Sequence, residues 1–140
     1  MSGIICDTSG LLAFFDAAEG ANQLVSEVID LQTGPFVVSP FVLAELDYLL
    51  ATRRGATAEA AVLTELAGGA WEHPSFNRSD LNDAVDLIGR YRDQGIGLTD
   101  ASLVVLAQRY ATDRILTLDV RHFSVVRTLS NTAFELLPMR

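Results

Sequence analysis

Gly3-Ile4-Ile5-Cys6-Asp7 reads as a short buried strand that ends on an acid, and Thr8 or Ser9 directly after it caps a helix through Leu11, Leu12, Phe14 and Phe15. Residues 20–32 predict a second helix, with Leu24, Val25, Val28, Ile29 and Leu31 near helical spacing, and Gly34-Pro35 breaks it. Phe36-Val37-Val38-Ser39 is then a second short strand. Brief apolar strands separated by helices are the pattern of a parallel sheet, whose strands are buried on both faces and so lack polar alternation.

The same alternation continues to the other end of the chain. Pro40 can open a helix because its missing N–H costs nothing in the first turn, and that helix runs to about Arg54 and stops at Gly55. A helix from about Thr57 carries Val62, Leu63 and Leu66 to Gly68-Gly69, and residues 70–74 form a possible strand. Ser79 or Asn77 caps a helix with Leu81, Ala84, Val85, Leu87, Ile88 and Tyr91; Gly95-Ile96-Gly97 is a loop. Thr99 caps a strongly apolar helix, Ala101 to Tyr110, and Ile115-Leu116-Thr117-Leu118 is a strand ending on Asp119. Phe134-Glu135-Leu136-Leu137 is the last strand. The chain shows no repeat, low-complexity tract or long linker, so the reading is one α/β domain over residues 1–140 with a central, mostly parallel sheet. Ligands of such sheets bind at the carboxyl ends of the strands, and two strands here end on aspartates, Asp7 and Asp119.

Composition narrows the chemistry. Hydrophobic residues are 49% of 140, enough for a sizeable core. No apolar run is long enough to span a bilayer, and Met1 to Asp7 has neither a basic region nor a signal-peptide core, so a cytoplasmic protein without membrane contact is expected. The single cysteine, Cys6, has no partner for an internal disulfide. The net charge of −8 speaks against a passive nucleic-acid coat, but clustered carboxylates are what a metal site requires. All ten basic residues are arginine. The absence of lysine removes Schiff-base chemistry, the Walker A phosphate loop and receiver-type phosphotransfer.

Four acids stand out, each with an ordinary reading beside the functional one. Asp7 is a helix-start acid or a metal ligand. Glu45 has Phe41, Tyr48 and Leu49 as helical neighbours; a carboxylate in such an apolar stripe needs an arginine, a backbone donor or a metal. Asp100 opens a helix that is otherwise almost wholly apolar, which would place it on the floor of a cleft with Ser102 as a hydrogen-bond partner. Asp119 ends a strand, and Thr117, two residues earlier, points to the same side and could orient it. Oxygen-only ligands favour Mg²⁺ or Mn²⁺ over zinc. His73 reads as a surface residue, His122 as a residue that could touch substrate, and neither has the spacing of a zinc site.

Taken in order, the segments Ile4-Ile5-Cys6-Asp7-Thr8-Ser9, Ser39-Pro40-Phe41-Val42-Leu43-Ala44-Glu45-Leu46, Leu98-Thr99-Asp100-Ala101-Ser102-Leu103 and Leu116-Thr117-Leu118-Asp119-Val120-Arg121-His122-Phe123 resemble those of PIN-domain ribonucleases, and most closely the VapC-type toxins of bacterial toxin–antitoxin pairs. They cover nearly the whole chain. The resemblance implies a three-layer α/β/α PIN-like fold, a homodimer, and inhibition by a small cognate antitoxin. It implies that Asp7, Glu45, Asp100 and Asp119 are the catalytic metal site for Mg²⁺ or Mn²⁺, with Thr8 or Ser9 and Thr117 in support. Many relatives carry a further acid near Asp119, whereas Val120-Arg121-His122 supplies none, which leaves open how firmly a second metal is held.

The activity this implies is metal-dependent hydrolysis of phosphodiester bonds in RNA, with the toxin cutting cellular RNA until a basic antitoxin segment blocks its acidic cleft. Arg121 and Arg127, close behind Asp119, are the first candidates to grip phosphates. A catalytically inactive PIN-like scaffold that only binds a partner is the alternative, against which the intact acid quartet speaks. A haloacid-dehalogenase or receiver-type phosphotransfer domain is disfavoured by the missing lysine and by the lack of an acid two residues after Asp7.

Overall fold

The strand β1 (Ile4–Cys6) lies in the middle of the sheet because all three of its side chains are apolar and fully buried. The computed structural model describes residues 3–138. On one side β1 pairs with β2 (Phe36–Val38), which pairs with β3 (Trp71–Glu72); on the other it pairs with β4 (Arg114–Leu116), which pairs with β5 (Glu135–Leu137). All four pairings are parallel, and Ile5 sits level with Val37 and Ile115. The helices are α1 (Thr8–Phe15), α2 (Asn22–Leu31), α3 (Pro40–Arg54), α4 (Ala56–Leu66), α5 (Arg78–Arg90), α6 (Leu98–Arg109) and the short α7 (Val120–Phe123), with a 3₁₀ turn at Arg92–Gln94. They flank the sheet to give the three-layer α/β/α architecture.

Local chemistry accounts for the element ends. Ser39 caps α3 by accepting the Phe41 N–H at 3.1 Å, with Pro40 in the first turn as the sequence predicts. Gly55, at φ +92°, ends α3 and opens α4, a backbone conformation that side chains resist. Asn77 and Asp80 form a reciprocal capping box on α5.

Three expectations are corrected. The cap of α1 is Asp7, whose carboxylate accepts the Thr8 N–H, rather than Thr8 or Ser9. Helix α6 starts at Leu98, so Thr99 lies inside it and its carbonyl accepts the Ser102 hydroxyl. Strand β4 ends at Leu116; Thr117 keeps one sheet bond, to the Leu137 carbonyl, after which the chain turns and Asp119 caps α7.

Helix α6 is the internal pillar. Ala101 through Ala107 are all buried, and the helix packs on α5, α3 and β1. Each fully buried leucine such as Leu103 or Leu106 contributes about 1.5–3 kcal/mol by leaving water. This burial fixes Asp100, in the first turn of α6, at the rim of the core. Beyond it, Ser39 donates to Ser102 at 2.8 Å while Ser102 donates to the Thr99 carbonyl at 2.6 Å. That buried hydroxyl pair ties the start of α3 to the start of α6.

The strand order β3-β2-β1-β4-β5 reverses direction between β1 and β4. Connections leave those two strands in opposite senses and open a crevice at their carboxyl ends. Asp7 follows β1 and Thr117 to Asp119 follow β4, so the topology delivers both segments to the same crevice. Among the described residues no helix is long and apolar enough to cross a membrane.

Candidate active site

Asp7 is the most constrained acid. It is buried, its backbone N–H donates to the Leu116 carbonyl at 2.9 Å, and its two carboxylate oxygens are held separately. Oδ1 accepts the Thr8 N–H at 2.8 Å, and Oδ2 accepts the Thr117 hydroxyl at 2.7 Å. Thr117 Oγ1 in turn accepts the Asp119 N–H, and Ser9 Oγ accepts the Leu118 N–H, both at 2.9 Å. The hydroxyls thus link the loop after β1 to the loop after β4. Thr117 orients the Asp7 carboxylate and the Asp119 backbone, not the Asp119 carboxylate as the sequence suggests.

The close approach of these loops requires Gly10. A Cβ there would come within 2.6 Å of the Leu116 carbonyl oxygen, which is backbone and cannot swing away. Glycine at this position lets α1 sit against the end of β4.

Asp119 spends Oδ1 on the His122 N–H at 3.1 Å, capping α7, and turns Oδ2 to His122 Nδ1 at 2.9 Å. Asp100 Oδ2 reaches the same nitrogen at 3.2 Å. Asp100, Asp119 and His122 therefore offer three donor atoms within 4.8 Å of one another. Glu45 completes the set from α3. It is exposed, because the buried stripe of α3 is Val42, Leu46 and Leu50; the expected apolar confinement of Glu45 does not occur, and it faces open space instead.

All four acids line one cavity of about 410 Å³, together with Thr8, Ser9, Leu12, Leu49, Arg53 and His122. Their fields overlap. Burial raises the Asp7 carboxyl above the ordinary carboxylate range, the Thr117 and Thr8 donors pull it back, and the Asp119 and Glu45 charges raise it further. The Asp100 carboxyl is pushed up to about 6, by burial first and then by Asp7, with Asp119 and Glu45 adding to the rise and His122 opposing it. Cys6, immediately before this network, is wholly buried, and burial pushes its thiol up and out of reach of nucleophilic chemistry.

The arginine of this cavity is Arg53, two further helical turns along α3 from Glu45. The spacing Glu45, Leu49, Arg53 marks one side of a helix and could have pointed to it. Arg121 lines a neighbouring cavity with Asp93, Gln94, His122 and Val125. Arg127 turns to the Asn131 carbonyl, so neither of the expected phosphate grips lines the acidic cleft. His73 is exposed as expected, with Nε2 2.6 Å from the Leu66 carbonyl. The sequence reads His122 as a residue that could touch substrate; in the structure it touches two of the four acids. The signal for this was the spacing Asp119-x-x-His122, one helical turn.

Two buried polar atoms at this site make no directed hydrogen bond: Thr8 Oγ1, and His122 Nδ1, whose close contacts are the Asp100 and Asp119 carboxylates. Both residues line the acidic cavity, and Thr8 Oγ1 is a buried hydroxyl oxygen of the kind that most proteins satisfy.

The PIN-domain family profile matches residues 4–129 of this chain. Over 135 residues the chain is 53% identical to Ribonuclease VapC26 of Mycobacterium tuberculosis, covering 96% of this chain and all of that protein. The crystal structure of VapC20 of the same organism, described as a sarcin-ricin loop cleaving toxin, superposes with a TM-score of 0.78 at 18% identity. It covers 84% of this chain and 90% of that one, and shows the shared fold.

Proposed function

The chain belongs to the PIN-domain family, and on that premise we propose that it is an RNA-cleaving toxin of a toxin–antitoxin pair, a Mg²⁺- or Mn²⁺-dependent endoribonuclease. The observation that carries this reading is the convergence of Asp7, Glu45, Asp100 and Asp119 on one cavity at the carboxyl ends of the two central strands. Kinship over nearly the full length with a ribonuclease supports it.

The donor set fits a divalent cation. Four carboxylates packed into one cleft repel each other, and burial has already raised Asp7 and Asp100; a cation answers both. Thr8 and His122, each with a buried polar atom that makes no directed hydrogen bond, line the same cavity. Asp7, Asp100 and Asp119 would hold the ion, with Glu45 from the opposite wall. A bound divalent cation supplies Lewis acidity toward water and the phosphodiester. The chain's own residues do the rest. Thr117 and the Thr8 N–H fix both oxygens of Asp7, so this carboxylate needs no reorganisation on loading. Exposed Glu45 can accept a proton from an attacking water, since its carboxylate lines the cavity and is open to solvent. Arg53 offers a fork to a phosphate oxygen at the mouth of the cavity. The same reading includes a homodimer and a cognate antitoxin whose basic segment enters the acidic cleft.

Purified chain incubated with RNA tests this directly. Cleavage is expected with Mg²⁺ or Mn²⁺ and none with EDTA, and Asp7→Asn should cost at least ~100-fold, as loss of a ligand does. Full activity of Asp7→Asn would remove that residue from the site. Sequencing of 5′ ends after brief expression identifies the RNA cut.

A further inference from the structure

His122 Nδ1 stands 2.9 Å from Asp119 Oδ2 and 3.2 Å from Asp100 Oδ2, yet it is sealed from solvent and makes no directed hydrogen bond. An imidazolium proton or a shared cation would each offset that contact, and three donor atoms within 4.8 Å of one another are close enough to share one ion. The spacings suit a metal ion. An octahedral ion with bonds of roughly 2.1 Å places neighbouring donors roughly 3 Å apart, which is the separation of Nδ1 from each oxygen here. The sequence spacing also suits one: Asp119 and His122 lie one turn apart, as in the carboxylate-x-x-His pairs of di-iron and di-manganese carboxylate centres. A second observation comes from the same cavity. Thr8 is only 5% exposed, its Oγ1 is also without a partner, and it lines the same cavity.

We propose that His122 Nδ1 is a direct ligand of a divalent cation shared with Asp100 and Asp119, and that this nitrogen biases the centre toward Mn²⁺ over Mg²⁺. Carboxylates alone distinguish these two hard ions poorly. Imidazole binds transition ions far better than it binds Mg²⁺, which holds its waters and prefers oxygen. The inference rests on the metal-dependent reading above, but its test needs no RNA.

The full chain, freed of any histidine tag and stripped of metal, is loaded with one equivalent of Mn²⁺ and read by electron spin-echo envelope modulation. Nitrogen-14 modulation from a directly bound imidazole is expected; it should persist in His73→Gln and vanish in His122→Gln. Titration calorimetry should show the His122→Gln dissociation constant for Mn²⁺ raised ~10-fold or more, with that for Mg²⁺ changed less than ~3-fold. Bound Mn²⁺ without imidazole modulation in the unmutated chain overturns the proposal whatever the variants do, and so does an equal loss for both ions. Failure to bind either ion sinks this proposal and the metal-dependent reading together. Nitrogen-coupled Mn²⁺ in a chain that cuts no RNA keeps His122 as a ligand and removes only the ribonuclease assignment.

Discussion

Thr117 and Asp7, 110 residues apart in sequence, are joined by a 2.7 Å hydrogen bond in which the threonine hydroxyl donates to the buried carboxylate while accepting the Asp119 N–H. One hydroxyl therefore sets two of the four acids relative to each other. Thr117→Val keeps the shape but leaves the Asp119 N–H and one Asp7 oxygen without this partner. A cost of about 1–3 kcal/mol in stability is expected from the unsatisfied groups. Affinity for Mn²⁺ should fall ~10–100-fold, as with other partners that orient ligands. Thr117→Ser should recover most of both. Urea denaturation and metal titration on the three proteins check it; wild-type Mn²⁺ affinity in Thr117→Val would show that Asp7 needs no such alignment.

Asp100 makes the metal-free protein sensitive to pH in a definite direction. Its folded carboxyl is pushed up to about 6, against about 3.9 for an unfolded aspartate. The native state then holds a proton that the unfolded state has released, so this contribution to stability is fully present below about pH 4 and is lost as pH rises through about 6. In EDTA the melting temperature should fall across that window, and Asp100→Asn should flatten the fall and leave the neutral-pH melting point unchanged or higher. The same variant should lose most of the stabilisation that added Mn²⁺ gives the parent, since that increment reflects binding to the native state. A sharply lowered metal-free melting point with the Mn²⁺ increment intact would make Asp100 a structural residue of the α6 N-terminus instead.

Gly10 offers a test of the contact between α1 and β4. Alanine in a helix is ordinarily worth about 0.5–1 kcal/mol over glycine. Here its Cβ would meet the Leu116 carbonyl at 2.6 Å, so α1 must move away from β4. Overpacking of this kind costs about 1–3 kcal/mol and wins. Gly10→Ala should lower the denaturation midpoint and RNA cleavage together, because α1 carries Asp7 at its cap and Ser9 in its first turn. An alanine variant more stable than the parent would contradict the close approach.

Arg53 lines the acid cavity and Arg121 its neighbour. Arg53→Ala should raise KM for RNA ~3–10-fold with kcat little changed, because a phosphate contact adds affinity without entering the chemical step. The loss should shrink as salt is raised, following the displacement of counterions from the RNA. Arg121→Ala should change KM less. Steady-state cleavage of a short fluorogenic RNA at two salt concentrations separates the cases, and an Arg121 effect larger than that of Arg53 would move the substrate path to the neighbouring cavity.

Much of this protein is legible in its sequence because its signals are local. Strands β1 and β2 are runs of three or four apolar residues, Ser39-Pro40 and Gly55 bracket α3, and the apolar run of α6 admits no exposed face. Each depends on side-chain burial or on backbone chemistry within a few residues, so the α/β order follows from the chain read in line, while the four acids stand out there only as candidates. The partners of those acids do not, because they depend on contacts between residues about a hundred positions apart. Only the parallel pairing of β1 with β4 brings Thr117 to Asp7 and forces Gly10 against Leu116. The rotation of α3 about its axis, set by what Leu46 and Leu50 meet, turns Glu45 out to the cavity, where the residue pattern suggested burial. The short turn of helix that Asp119 caps swings His122 back onto Asp100. Local periodicity dictates which side chains face inward, but the atoms they meet across the crevice are fixed by the order of strands in the sheet.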